Sequence, residues 1–117
     1  MSEVKTKGVA HATQAATVAT HSDERGRLIA VKKLNALNYY NLAKAMGDTA
    51  SNEVMMQMAM IAAAVTRIDT QDYAFPASEQ DVQFLIQTLD FDGIAAAGEA
   101  LKKLAPKIEA EKEIAKN

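Results

Sequence analysis

One stretch of the chain is apolar on almost every side: Val54-Met-Met-Gln-Met-Ala-Met-Ile-Ala-Ala-Ala-Val65, in which only Gln57 is polar. It contains four of the six methionines and no glycine or proline, which predicts an α-helix. A helix of this kind lies at the centre of a core or is covered by a partner. Core is the ordinary location for such residues. Methionine-rich surfaces, however, can repack around varied partners, so both interpretations stay open.

The residues that follow predict a hairpin and two further helices. Apolar residues flank a polar centre within residues 66–77, which is typical of a small β-hairpin. Ser78, with Asp81 three residues later, resembles a capping box. It precedes an amphipathic repeat formed by Val82, Leu85, Ile86 and Leu89. A last helix is predicted to begin near Asp90 or Asp92.

The residues before the central helix predict one more helix and one strand. Residues 34–46 have helical periodicity that ends at Gly47, a residue suited to a left-handed stop. Residues 28–31 are predicted to form a short strand that joins the hairpin, because an isolated hairpin is marginally stable. The predicted fold is therefore mainly α with a small β element (α+β), a compact bundle of about four helices plus a short strand and hairpin.

The domain prediction follows from length and composition. A chain of 117 residues suits one domain. Residues 1–22 include a low-complexity Ala/Thr stretch that cannot bury enough surface to offset its ordering entropy, which predicts a flexible N-terminal arm. Residues 23–105 are predicted to form the helical domain with its β element, and residues 106–117 a charged C-terminal tail.

The composition disfavours several functional classes. The net charge of −2 is uneven, because residues 47–100 contain nine acidic groups and a single basic one, Arg67. An acidic centre is a poor surface for nucleic acid. The absence of cysteine excludes disulfide and thiolate chemistry. No secretory signal and no membrane-spanning apolar run are visible, which predicts a soluble, intracellular protein without membrane partners.

No set of side chains predicts catalysis. His11 and His21 both fall in the predicted arm, ten residues apart, and their spacing does not indicate a metal site. No glycine-rich loop matches a phosphate-binding pattern. Turns and helix caps explain the paired carboxylates, Asp69 with Asp72 and Asp90 with Asp92. We therefore expect no catalytic residues, no metal and no cofactor, and a protein that is not an enzyme.

Three features suggest contact with another protein. The methionine-rich helix is the first. Tyr39 and Tyr40 could anchor an interface, although half-buried core positions explain them equally well. The last helix has a short stripe with three- and four-residue steps that could pair with another helix or pack within the domain. The candidate partner-binding residues are Tyr39, Tyr40, Met55, Met56, Met58, Leu101 and Leu104.

Short motifs follow one another in a distinctive order within residues 25–100. The motifs are Arg27-Leu-Ile-Ala-Val-Lys-Lys-Leu-Asn-Ala-Leu37, Ala45-Met-Gly-Asp48, Val65-Thr-Arg-Ile-Asp69, Tyr73-Ala-Phe-Pro76, the repeat from Val82 to Leu89, and Leu89-Asp-Phe-Asp-Gly-Ile-Ala95. Their order resembles the small tail assembly chaperones of long-tailed bacteriophages. The chain departs from the family pattern at Thr70-Gln71, where a tight glycine-containing turn is usual.

The resemblance implies a function. Such chaperones coat the long, aggregation-prone tape measure protein before the tail tube polymerises around it. They act in the host cytoplasm and are not expected in the mature virion. Many are also made as a longer frameshifted form, and a homo-oligomer is possible. The alternatives are a structural virion component, such as a minor tail or head-completion protein, and a small helical adaptor protein.

Overall fold

The computed structural model describes residues 17–104, which form a four-stranded antiparallel sheet and three α-helices. The elements in chain order are β1 (Val18–Ser22), β2 (Leu28–Lys32), α1 (Ala36–Met46), a 3₁₀ turn (Gly47–Ser51), α2 (Glu53–Ala64), β3 (Val65–Ile68), β4 (Gln71–Asp72) and α3 (Glu79–Lys102). The strands lie in the order β1-β2-β3-β4. The mixed α+β prediction is confirmed, whereas the bundle of about four helices is wrong: the sheet is larger than expected and the last two predicted helices join as α3.

Strand β1 occupies residues that the sequence assigned to the N-terminal arm. It pairs with β2 from Val18 opposite Lys32 to Ser22 opposite Leu28. The tight connection between them needs a positive φ, which Gly26 adopts at 84°. The ordered domain therefore begins before residue 23. The rest of the predicted arm with His11, and the predicted tail at 106–117, lie outside the described residues.

The predicted hairpin and its third strand are confirmed. Strands β3 and β4 pair through Arg67 opposite Asp72, and β2 lies on the other side of β3. Asp69 supplies the turn without a glycine by adopting a φ of 54°. Its carboxylate accepts a hydrogen bond from the Leu28 N–H at 2.9 Å, which ties the turn to β2.

A β-bulge brings two core residues of β3 to the same face of the sheet. Val65 and Ile68 are three residues apart, so a regular strand would direct them to opposite faces. The register shifts between Ala30 and Val31, so that Ile68 lies opposite Ile29 and Val65 lies opposite Val31. All four apolar side chains then contribute to one buried cluster.

The core consists of two clusters, and α2 contributes to both. In the first, the inner face of the sheet packs with buried residues of α2 and α3, namely Ala62, Ala64, Leu85, Leu89, Ala96, Ala97 and Ala100. The second lies where the three helices meet and contains Leu42, Met46, Met56, Ala59, Ala63 and Val82. The alanines let the helices approach closely. The core interpretation of α2 is therefore correct for this side of the helix.

Helix α3 has a sharp break at Asp90, where the sequence predicted the start of a new helix. Asp90 has φ 58° and ψ −173°, a conformation that is strained for residues other than glycine. The Arg27 guanidinium donates hydrogen bonds to the carbonyls of Thr88 and Leu89 at 2.9 and 2.8 Å, so it satisfies groups at the end of the first helical segment. Gly93 fits against this break because a Cβ there would lie 2.8 Å from the Leu89 Cβ.

Candidate protein-binding surface

Two apolar grooves flank the side of α2 that faces away from the core. The first, which we call the Leu101 groove, has a volume of about 340 Å³ and is lined by Lys33, Leu34, Gln57, Met60, Ile61, Leu101 and Leu104. The second, the Met58 groove, has a volume of about 90 Å³ and is lined by Met46, Met55, Met58, Glu79, Val82, Gln83 and Ile86. Both grooves are predominantly apolar.

One apolar side of α2 lies between the two grooves. Val54, Met58 and Ile61 lie at i, i+4 and i+7, so helical geometry places them along one side of α2. Met55 borders this side, and we call these four residues the α2 face. Val54 is 73% exposed and Met55 is also exposed, whereas Met58 and Ile61 are half-buried. The α2 face is therefore an apolar surface that the core does not cover.

The structure separates the predicted methionines by burial. Met55 and Met58 line the Met58 groove. Met56 is 5% exposed and packs in the second core cluster, so it cannot contact a partner while the domain stays folded. This removes Met56 from the candidate surface. Met60, which the sequence did not single out, replaces it because it lines the Leu101 groove.

The two predicted leucines, Leu101 near the end of α3 and Leu104 in the turn that follows it, lie together, as their spacing indicated. Leu101 is half-buried and Leu104 is buried, and both border the Leu101 groove opposite α2. Leu104 also belongs to the first core cluster. Packing within the domain therefore accounts for Leu104, whereas Leu101 leaves apolar surface in the groove, and pairing of this stripe with another helix stays a prediction.

The two predicted tyrosines lie on α1, outside both grooves. Tyr39 and Tyr40 are both exposed. Leu42 and Met46 form the buried side of α1, and helical geometry places Tyr40 almost opposite Leu42. The Lys44 ammonium lies 5.5 Å from the centre of the Tyr40 ring, a cation–π distance. The tyrosines therefore form a second exposed patch, separate from the grooves beside α2.

Two exposed phenylalanines were missed by the sequence reasoning. Phe84 and Phe91 are 58% and 82% exposed. Both fall outside the apolar repeat that runs from Val82 to Leu89, and this position could have identified them as exposed from the sequence. An exposed aromatic side chain on an amphipathic helix does not pack in the core, and aromatic residues are enriched at protein–protein interfaces.

The paired carboxylates make contacts within the domain, as turns and helix caps do. Arg25 donates to Asp90 at 3.0 Å and to Asp92 at 3.2 Å. Asp72 lies 3.3 Å from the Arg67 guanidinium, and Asp69 anchors its turn to β2. Within residues 17–104 no group of three or more His, Cys, Asp or Glu side chains is arranged to hold a metal ion.

Asp23 is the buried carboxylate of the described region, and it fixes the β1–β2 turn. Its side chain has no exposed surface and accepts hydrogen bonds from the backbone N–H groups of Arg25 and Arg27 at 3.0 and 2.8 Å. The Arg27 Nε donates to it at 2.7 Å. Burial alone would raise the pKa of Asp23, but the hydrogen bonds and charge of Arg27, with the Arg25 N–H, outweigh burial and lower that pKa below its ordinary value. His21 is on β1, half-buried, and takes no part in this network.

The chain was also compared with known proteins. Searches with protein-family models, curated protein sequences and solved structures find no match. Within residues 17–104 no helix combines the length and the apolar character that crossing a membrane requires.

Proposed function

We propose that this chain is a bacteriophage tail assembly chaperone that binds the tape measure protein during tail morphogenesis, without catalysing a reaction. The support comes from two directions. The motif order in residues 25–100 resembles this family, and α2 presents an apolar face with grooves on both sides. The apolar α2 face is the observation that carries the proposal, because it has the character of a surface that a partner covers.

The shape of this surface suits a helical partner. An amphipathic helix binds by laying side chains at i, i+3, i+4 and i+7 into an apolar groove. Helix α2 has 12 residues, or about 18 Å at 1.5 Å per residue, so it can contact about three turns of a partner helix. A long helical tape measure protein would offer many such segments, and several copies of the chaperone could cover it.

The energetics suit reversible binding. Full burial of a Val, Met or Ile side chain is worth about 1.5–3 kcal/mol, and the half-buried members of the α2 face would gain only part of that. Association costs several kcal/mol in lost freedom of motion. One face on one helix should therefore give modest affinity for each copy. This allows release when the tail tube polymerises in the host cytoplasm, and agrees with absence from the mature virion.

The rims of the two grooves differ in charge. Lys33 borders the Leu101 groove, and Glu79 borders the Met58 groove. A bound helix would be favoured with an acidic side chain beside Lys33 and a basic one beside Glu79. Its positive N-terminal end would also be favoured near Glu79. The surface therefore distinguishes the two directions in which a helix could lie.

Co-expression with the tape measure protein of the same phage tests this function. The wild-type chain should keep the tape measure protein soluble and co-purify with it, with several copies per tape measure chain by light scattering. Met58→Asp and Leu101→Asp each place a charge in a groove and should abolish co-purification. Phe91→Asp is the matched control, because Phe91 is 82% exposed and lies outside both grooves.

One outcome would contradict the proposed function, and another would contradict the proposed binding surface. If the chain and the tape measure protein do not associate, and the chain is instead found in purified particles, a structural virion component is the better account. If they associate but Met58→Asp and Leu101→Asp bind as well as Phe91→Asp, the chaperone function survives and the α2 face is not the binding surface. Circular dichroism of each variant confirms that the fold persists. Met56→Asp is unsuitable, because Met56 is buried.

A further inference from the structure

A third groove lies on another part of the molecule, between the chain leaving β4 and the start of α3. It has a volume of about 640 Å³ and is lined by Gln71, Asp72, Tyr73, Ala74, Phe75, Pro76, Asp81, Phe84 and Leu85. We call it the Phe84 groove. Its lining shares no residue with the Leu101 or Met58 groove, so it is a site separate from the surface assigned to the tape measure protein.

One wall of this groove is the edge of the sheet. Strand β4 is the outermost strand on its side. The Tyr73 N–H donates to the Thr66 carbonyl at 2.9 Å, so Tyr73 still pairs with the β3 side. In an antiparallel ladder, alternate residues direct their N–H and C=O groups to opposite sides. The backbone groups of Asp72 therefore point outward, where another strand can pair with them. Continuing the same alternation past Tyr73 would place the Ala74 N–H on that outer side as well.

The other wall supplies an exposed aromatic side chain. Phe84 lines the groove from α3 and is 58% exposed. Phe75 also lines it, but the Lys32 ammonium lies 5.2 Å from the centre of its ring, so Phe75 already has a partner within the domain. Tyr73, the third aromatic residue of the lining, is half-buried like Phe75, so Phe84 is the exposed aromatic side chain of the groove. It lies opposite an edge that can hydrogen-bond the backbone of an incoming segment.

The charged side chains that line the groove are both carboxylates. Asp72 is mostly exposed and its contact with Arg67, at 3.3 Å, is a surface ion pair. Asp81 accepts a hydrogen bond from the Ala77 N–H at 3.0 Å and is exposed. Charge complementarity therefore favours a basic occupant.

We propose that the Phe84 groove binds an extended segment of another protein, one with alternating apolar and basic side chains, as an additional strand beside β4. The segment's backbone pairs with Asp72 and Ala74 in the manner of β-augmentation. Its apolar side chain packs on Phe84, and its Lys or Arg side chains lie near Asp72 and Asp81. A helical occupant would leave the outward backbone groups of this edge unpaired, so the edge selects an extended one.

Peptide titrations test this proposal on the full chain. The probe is a nine-residue peptide of alternating valine and lysine with blocked ends, added to the ¹⁵N-labelled protein at up to millimolar concentration. We expect saturable amide shifts at Ala74 and Phe84. The same peptide with glutamate in place of lysine should bind at least about tenfold more weakly. Phe84→Asp should weaken binding by about tenfold or more, as loss of a central aromatic contact does.

Phe91→Asp is the matched control, since it places the same charge on the same helix at a more exposed position outside the groove. Its affinity should stay within about twofold of wild type, because substitutions away from an interface centre are nearly neutral. The proposal is overturned if the lysine peptide gives no saturable shifts at these residues or if the glutamate peptide binds equally well. It is also overturned if Phe84→Asp binds as tightly as Phe91→Asp, or if an amphipathic helical peptide of leucine and lysine binds the groove more tightly.

Discussion

Arg27 should be the most important polar side chain for the stability of this domain. Its guanidinium joins the β1–β2 turn to the break in α3 through Asp23, Thr88 and Leu89. Arg27→Met removes the charge and the donors while keeping an apolar stem of similar length. The substitution leaves two helix-end carbonyls without this donor and Asp23 without its cationic partner.

The size of the effect follows from these contacts. Hydrogen bonds to charged groups contribute about 1.5–3 kcal/mol each, and two to carbonyls are lost together with the ion pair, so we expect a loss of about 3 kcal/mol or more. Asp23 keeps its backbone donors from Arg25 and Arg27, which limits the penalty at the carboxylate. Native proteins have a total stability of about 5–15 kcal/mol, so the variant should lose a large part of its stability.

Urea unfolding followed by far-UV circular dichroism measures the change, and Arg25→Met provides the control. Arg25 lies two residues away and also contacts two carboxylates, but its side chain is 47% exposed against 19% for Arg27. Exposed ion pairs contribute little, so Arg25→Met should change the free energy of unfolding far less. If the two variants are destabilised equally, or Arg27→Met is unaffected, the account of the α3 break is wrong.

Three further predictions concern the same corner of the fold. Gly93→Ala should destabilise the domain by about 1–3 kcal/mol, because its Cβ would lie 2.8 Å from that of Leu89. Gly98 has open space around it, so Gly98→Ala should be neutral or stabilising by up to about 1 kcal/mol. Thermal unfolding that ranks the two variants the other way would contradict this. Asp90→Gly should be more stable than Asp90→Ala by about 1 kcal/mol, because both lose the side chain but only glycine relaxes at a φ of 58°; equal urea midpoints would refute the strain. The pKa of Asp23 is lowered in the folded state. The Asp23 carboxylate therefore contributes to folding stability above its unfolded pKa of about 3.9, and this contribution is lost as the pH falls through the lower folded value. Below about pH 4 the free energy of unfolding of Asp23→Ala should fall less steeply than that of wild type, and parallel pH profiles would count against this.

The sequence predicted α2 and the hairpin because their signals are local. A nearly uninterrupted apolar run identifies a helix with a buried side, and a polar turn between apolar flanks identifies β3 and β4. Strand β1 had no comparable signal. Its residues, Val18-Ala-Thr-His-Ser22, are small or polar and alternate only weakly between exposed and half-buried. Its position depends on pairing with β2, which no local pattern records.

The break in α3 shows a second limit of local signals. Asp90 and Asp92 were correctly interpreted as a discontinuity between two helical repeats. Arg27 lies more than sixty residues earlier in the chain, however, and its hydrogen bonds to the Thr88 and Leu89 carbonyls satisfy the end of the first helical segment at this break. Only the folded chain brings these groups together.

The sequence predicts the helix that bears the candidate surface, but not which side of that helix is exposed. Glu53 and Gln57 are the only polar residues of α2, too few to mark its outer side, so Met56 could not be distinguished from Met55 and Met58. The packing of the three helices distinguishes them, because Met56 lies in the cluster where the helices meet. Phe84 and Phe91 could have been identified from the helical repeat alone, since they lie outside its apolar positions.

The most direct test of the central claim is methionine methyl NMR during titration with the tape measure protein. With ¹³C-methyl methionine, each of the six methionines gives one signal, assigned by single Met→Leu substitutions. If the α2 face and its grooves bind the partner, the signals of Met55, Met58 and Met60 should shift or broaden together, while that of the buried Met56 changes much less. Changes confined to other methionines, or no change at a concentration where the two proteins co-purify, would show that the partner binds elsewhere and contradict the account.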